Sequence, residues 1–199
     1  MRLEWREGLA LKAVVAEIAA AAAVGAGVRQ APDAMELWHP VYIGVGSNLD
    51  DPQAQVLHAF AKLAELPRSK VILTSPVYRS RPFGPVDQPE FANAVAGLLT
   101  QLGPHELLEQ LQSIEAAQGR PKREDRQRWG PRIIDLDVLV YGRERFQDPQ
   151  LTLPHPGIVE RNFVLYPLAD IAADLEVPGL GRVSELRSRV MSEGLHRLS

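Results

Sequence analysis

The segment RWGPRIIDLDVLVY, from Arg128 to Tyr141, constrains this chain more than any other. Within it Ile134, Leu136, Val138 and Val140 alternate with Asp135 and Asp137. Residues two apart on an extended strand project from the same face. The chain must therefore build a sheet with one face against a core and another on which two carboxylates stand side by side. Such a pair is either solvated, as on any half-buried strand with a wet face, or it holds a positive charge. Hard divalent cations such as Mg²⁺ take oxygen ligands and share them with substrate phosphates. Arg120, Lys122, Arg123, Arg126, Arg128 and Arg132 crowd the approach to the pair. Each feature alone reads as ordinary surface, but their compression into one segment predicts a site for a metal-bound polyphosphate.

The chain has 199 residues and a formal charge of −3. That length suits one domain with a full core plus an appendage. The charge disfavours a nucleic-acid coat or a membrane-surface protein, so the basic cluster is local. There is no cysteine, which excludes a disulfide framework, a thiolate metal site and a cysteine nucleophile, and which fits a cytoplasmic protein. Residues 1–38 differ from the rest. Leu9 to Val28 is Ala-rich and predicts a helix. Lys12 and Glu17 interrupt its apolar run, and the uncharged stretch after Glu17 is too short to span a bilayer. Residues 1–38 are expected to be a non-catalytic extension, or sequence upstream of a true start at Met35. Residues 39–199 form the domain.

Pro40 to Ser47 predicts a strand. Asp51 offers an N-cap with Pro52 at the first helical position. The helix is expected to turn Val56, Leu57, Phe60, Leu63 and Ala64 inward and to end at Pro67. Val71 to Tyr78 predicts the next strand, and a Pro/Gly-rich loop leads to a third over Asn93 to Thr100. Gly103 and Pro104 start a helix with Leu107, Leu108, Leu111 and Ile114 inward, and Gly119 stops it. Ile133 to Tyr141 is the last strand of the set. The order β-α-β-β-α-β is the ferredoxin-like pattern of the α+β class, an antiparallel sheet with helices packed on one face. Residues from about Leu151 onward predict C-terminal additions, short helices and a small hairpin around that core.

The same residues resemble the 6-hydroxymethyl-7,8-dihydropterin pyrophosphokinase family of folate biosynthesis. Gly46, Ser47, Asn48 and Leu49 match its early motif. Tyr78, Arg79, Ser80, Gly84 and Pro85 match the next, followed by Phe91 and Asn93. Gln112, Glu115, Gly119 and Arg120 match a helical motif, and Arg128 to Asp137 match the central signature throughout. Thr152, Pro154, His155, Arg161 and Phe163 match the late one. The resemblance runs from about Val41 to Leu175. Pro156 and Gln150 depart from residues that some members carry near the nucleotide, and the loop after Arg120 is longer than in the shortest members.

The resemblance implies transfer of pyrophosphate from ATP to the pterin's hydroxymethyl group, releasing AMP. It implies that Asp135 and Asp137 hold two Mg²⁺, and that Arg120, Arg132, Arg161, Lys122 and His155 contact phosphates. Arginine suits phosphate because its fork donates two parallel hydrogen bonds. It places Gln112, Glu115, Thr152 and Trp129 near the nucleotide, Glu115 beside the ribose. For His155 a packed loop role stays open, and for Gln112 and Glu115 a surface helix pair. A pterin needs stacking rings and a fixed amide. Phe91, Trp129 and Phe163 supply rings, Asn93 an amide, and Ser80 to Phe83 the rest of the edge. Asn93 lies in an apolar strand, where an unpaired amide is costly; bonding to a neighbouring loop is its other reading.

Two rivals are weighed. A catalytically inactive Mg-nucleotide-binding module of this fold is expected to lack one carboxylate or the acceptor pocket. A nucleic-acid-binding ferredoxin-like domain needs cations spread along a face, not an acidic pair. No G-x-x-x-x-G-K-[ST] loop occurs, and Leu49 stands where a dinucleotide loop beginning at Gly44 needs its third glycine. The expected partners are ATP and the pterin, with no nucleic acid and no membrane, and the expected state is a monomer.

Overall fold

The computed structural model describes residues 37–82, 87–121 and 130–198. Residues 1–36, and so nearly all of the expected extension, lie outside the described residues. So do Phe83, Gly84, Pro85, Lys122, Arg123, Arg126, Arg128 and Trp129.

Strand β1 spans His39–Ser47 and leads into helix α1, Pro52–Ala64. Asp51 caps the helix as expected, its side chain accepting from Ala54 N at 3.1 Å, with Pro52 where no N–H is needed. Helix α1 buries Val56, Ala59 and Leu63. Leu57, expected inward, is 53% exposed, since one 100° step from Val56 carries it off the buried stripe.

The strand expected over Val71 to Tyr78 is two strands, β2 (Ser69–Thr74) and β3 (Tyr78–Ser80). Pro76 has no N–H to give the ladder. Ser75 bridges the break: its N–H donates to Val95 O at 2.8 Å and its Oγ accepts from Val95 N at 2.9 Å. Strand β4 (Phe91–Thr100) and helix α2 (Pro104–Ala117) follow. Helix α2 buries Leu107, Leu111, Ile114 and, against its polarity, Glu115. Gly119, at φ +92°, ends it in a conformation glycine adopts without strain. Strand β5 is Asp135–Tyr141.

The C-terminal additions begin with a hairpin of β6 (Phe146–Gln147) and β7 (Thr152–Leu153). A 3₁₀ turn (Pro156–Val159) and helix α3 (Asn162–Ala172) come next. Strands β8 (Glu176–Val177) and β9 (Gly181–Arg182), helix α4 (Val183–Ser188) and strand β10 (Leu195–Arg197) complete the described chain.

The sheet runs β10-β3-β4-β1-β5, with β2 also on β4, and every adjacent pair is antiparallel. This is the expected ferredoxin-like arrangement. Helices α1 and α2 cover one face, over Val41, Ile43, Val45, Ala94, Leu136 and Val138. Helix α3 covers the opposite face, packing Val164, Leu165 and Leu168 with Tyr42, Val95 and Leu139. The additions thus supply a third layer, α3, and an edge strand, β10, on β3.

The pairing of β1 with β5 slips by one residue: Tyr42 faces Val140 and Ile43 faces Val138. Leu139 is the extra residue of this bulge. Leu139 and Val140 both join the α3 layer, while Tyr141 returns to the α1/α2 core, its hydroxyl donating to Leu102 O at 2.6 Å. Among the described residues no helix is long and apolar enough to cross a membrane.

Candidate active site

Asp137 and Asp135 pair with Gly44 and Gly46 of β1. On this face β1 therefore presents bare backbone. A Cβ on Gly44 would lie 3.2 Å from Leu139 Cδ2, and one on Gly46 would lie 3.2 Å from Asn93 Oδ1. The missing side chains leave an open cleft of about 760 Å³, mouth included. Ser80, Phe91, Asn93, Arg132, Asp135, Asp137, Arg161 and Phe163, all expected site residues, line it.

One end is charged. Asp135 accepts hydrogen bonds from the guanidinium groups of Arg120 and Arg132. Arg120 also donates to Glu115, whose Oε1 accepts the Leu136 N–H at 2.8 Å. Glu115 is 3% exposed and is turned to Arg120 and β5. Gln112, three residues earlier, is exposed; the two do not share an environment. Asp137 stands differently, with His155 Nε2 at 3.8 Å from its Oδ2. Close packing and then the Asp135 charge push the Asp137 carboxyl up to about 7, against the opposing pull of Arg161. Burial, then Arg161, pushes His155 down to about 4. His155 Nδ1 accepts the Gly157 N–H at 3.0 Å, so the neutral ring carries its proton on Nε2, toward Asp137. Thr152 sits in β7 opposite Gln147, outside the cleft lining.

The other end is aromatic and amide-bearing. Asn93 Nδ2 donates to Ser80 Oγ at 2.9 Å, which fixes the amide plane. The Arg132 guanidinium lies over the Phe91 ring and that of Arg161 over the Phe163 ring, each at 5.9 Å from the centroid. A flat heterocycle can stack there while its edge meets the Asn93–Ser80 pair.

Mg²⁺ binds through one or two carboxylates and completes its shell with phosphate oxygens and water. Asp135 and Asp137 fit that pattern: two carboxylates on one face, crowded enough to raise one of them, beside guanidinium groups. Among the described residues no cluster of three or more His, Asp, Glu or Cys side chains converges, so an all-protein cage is not offered there.

Some residues of the site carried no assigned role in the sequence. Asn48 is 1% exposed; its Oδ1 accepts the Arg132 N–H at 2.8 Å, and its Nδ2 donates to Gln88 Oε1 at 3.0 Å and Pro89 O at 3.2 Å. It ties the two loops that flank the cleft, over sequence distances that no local pattern encodes. A Cβ on Gly157 would lie 2.6 Å from Arg161 Nε, so only glycine lets that guanidinium fold over the turn. Arg81 and Gln88 also line the cleft. Arg81 falls within the Ser80–Phe83 edge expected from the sequence, whereas Gln88 carried no signal there.

Comparison with known proteins bears on this cleft. Residues 42–173 match the family described as 7,8-dihydro-6-hydroxymethylpterin-pyrophosphokinase (HPPK). The chain is 45% identical over 158 residues to a 2-amino-4-hydroxy-6-hydroxymethyldihydropteridine pyrophosphokinase of Pseudomonas aeruginosa, covering 79% of this chain and 96% of that one. A protein of the same name from Haemophilus influenzae is 44% identical over 145 residues, 73% of this chain and 89% of that one. Among solved structures, the Plasmodium falciparum wild-type HPPK-DHPS with pteroate superposes with a TM-score of 0.63 at 15% identity, over 80% of this chain and 46% of that one. That likeness concerns the fold.

Proposed function

The chain belongs to the 7,8-dihydro-6-hydroxymethylpterin-pyrophosphokinase family, and we infer from this that it transfers pyrophosphate from ATP to 6-hydroxymethyl-7,8-dihydropterin in folate biosynthesis. The hydroxymethyl oxygen attacks the β-phosphorus. One O–P bond forms, the bond to the α–β bridging oxygen breaks, AMP leaves, and the hydroxyl proton passes to water. The observation that carries the assignment to this cleft is the meeting of a carboxylate pair, three cleft-lining arginines and an aromatic–amide end in one space.

Asp135 and Asp137 would hold Mg²⁺, two ions in our reading, which when bound neutralise phosphate charge and lower the acceptor hydroxyl's pKa. Arg132 and Arg161 project into the cleft and would bind the equatorial phosphate oxygens, where charge develops. Arg120, held on Glu115, would stand behind them. Lys122 and Trp129 would contact the nucleotide, and His155 would offer its Nε2 proton to a phosphate. Phe91 and Phe163 would stack the pterin while Asn93 and Ser80 read its edge. ATP dependence fits the cytoplasm, and action as a monomer is our reading. Both carboxylates and the acceptor end are present, so no observation favours the inactive module.

The test is direct. Incubation with ATP, Mg²⁺ and 6-hydroxymethyl-7,8-dihydropterin should release AMP and the pterin diphosphate. Release of ADP, or no pterin-dependent turnover, would overturn the assignment.

A further inference from the structure

The acceptor end of the cleft has two walls from distant parts of the chain. One is Ser80–Arg81, at the end of β3; the other is Arg161 to Phe163, at the start of α3. Residues 191–195 touch both. Asn162 Nδ2 donates to Met191 O at 2.9 Å and to Glu193 O at 3.2 Å. Gly194 O accepts the Arg81 N–H at 3.3 Å, and Leu195 pairs with Ser80. Leu195 N donates to Ser192 O at 3.0 Å, closing the segment into a turn. Gly194 has φ +70°, and a Cβ there would lie 3.3 Å from Arg81 Cδ, so the turn backbone rests against the Arg81 side chain.

Asn162 stands between the two cleft-lining residues of its wall, yet its amide is spent on the turn. Its two N–H groups satisfy two carbonyls that belong to a segment otherwise held by a three-residue strand. We propose that Asn162 is a positioning residue for the acceptor: through the turn at 191–195 it sets the distance between the Phe163 wall and the Ser80–Arg81 wall. The inference rests on the reading of this cleft as the pterin site. A rigid ring must stack on one wall and bond its edge at the other. A wall displaced by about 1 Å loses one of the two contacts. Arg161 shares this wall, but its guanidinium is seated against Gly157 rather than on the turn, so the nucleotide should feel less of the displacement than the pterin.

The substitution Asn162→Asp keeps the shape but removes both donors and sets a carboxylate against two carbonyl oxygens. In the full chain it should raise the pterin KM about tenfold, equivalent to about 1.4 kcal/mol. The KM for ATP should stay within about twofold. Calorimetric pterin affinity, measured with a non-hydrolysable ATP analogue, should weaken by the same factor as the KM. Asn162→Ala, which removes the tie without adding charge, and Gly194→Ala, which strains its other end, should act in the same direction. They decide the matter if the aspartate variant does not fold. A lower melting temperature with both KM values unchanged would make Asn162 a fold residue only and overturn the proposal. So would equal losses for ATP and pterin. If the wild-type protein does not bind the pterin at all, the reading of the cleft fails first and takes this inference with it. Wild-type binding with unaltered variants overturns the inference alone.

Discussion

Gly46 and Asn93 face each other across β1 and β4, and the absent side chain of the glycine is what leaves room for the amide. A Cβ at Gly46 would lie 3.2 Å from Asn93 Oδ1, and Asn93 is already tied to Ser80 Oγ. A methyl there must push the amide off its position. Gly46→Ala is expected to weaken pterin binding about tenfold. Titration calorimetry of the pterin against the variant checks this; unaltered affinity would mean that Asn93 does not read the ring.

The two carboxylates are unequal, although their sequence positions are alike. Asp135 is clamped by Arg120 and Arg132, whereas Asp137 is held up to about 7 by packing and by Asp135. Asp137→Ala should therefore melt no earlier than wild type in EDTA. Asp135→Ala strips a partner from Arg120, which is only 10% exposed, and should cost about 1 to 3 kcal/mol in urea unfolding. Both variants should lose about a thousandfold or more in AMP release, as about 4 kcal/mol of lost charge stabilisation requires. Near-normal turnover at saturating Mg²⁺ would reduce the pair to a wet strand face.

Glu115 joins the end of α2 to the start of β5. Glu115→Ala would orphan the Leu136 N–H and leave Arg120 leaning on Asp135 alone. A loss of about 3 to 5 kcal/mol is expected, the usual result of breaking a buried pair. Glu115→Gln keeps an acceptor for Leu136 and should lose less. Urea midpoints of the two variants give the comparison; similar, small losses would show that the carboxylate is not a structural node.

At alkaline pH the contact of Tyr78 with Asp170 becomes measurable. The Tyr78 hydroxyl donates to Asp170 Oδ2 at 2.7 Å, and burial, then that carboxylate, pushes the phenol up to about 12. The folded state thus holds the proton more tightly than the unfolded one, whose phenol titrates near 10. The contribution is full below about pH 10 and is lost as the pH rises toward 12. The stability gap between wild type and Tyr78→Phe should be constant from pH 7 to 9 and shrink above 10. A gap that widened there would reverse the sign of the argument.

Among the described residues, every one that lines the cleft lies at Gly44 or later in the chain. Removing residues 1–34 is accordingly expected to leave steady-state kinetics superimposable on those of the full chain. A large fall in turnover would show that the segment acts on the cleft.

Legibility in the sequence tracks the range of the forces. The Asp51 cap, the Pro52 start, the Gly119 stop and the alternation in β5 as far as Val138 are set by neighbours in sequence and were legible there; the slip at Leu139, which turns Val140 to the other face, was not. The split of the second strand was not, because Ser75 replaces the missing Pro76 bond only by reaching Val95 on another strand. Leu57 was misplaced because hydrophobicity alone does not say which side of the stripe a helical residue takes. In the site, the residue types at Asp135, Asp137, Asn93 and Phe163 announced their chemistry. Glu115 did not announce its burial, nor Asn48 its bridge to Arg132 and Gln88, since both depend on partners that only the closed sheet brings near.

The extra residue at Leu139 divides β5 into two lengths of opposite phase. Ahead of it, odd-numbered positions face the cleft; beyond it, Val140 takes that side and Tyr141 turns back to the helices. The strand is thereby released from a trade-off. A strictly alternating strand that offered both carboxylates to the cleft would also turn Tyr141 that way and forfeit its bond to Leu102. With the slip in place, mutations at Asp135 or Asp137 and mutations at Val140 or Tyr141 fall on separately adjustable parts of one strand. Reactivity and cohesion are then free to drift apart in descendants of this chain.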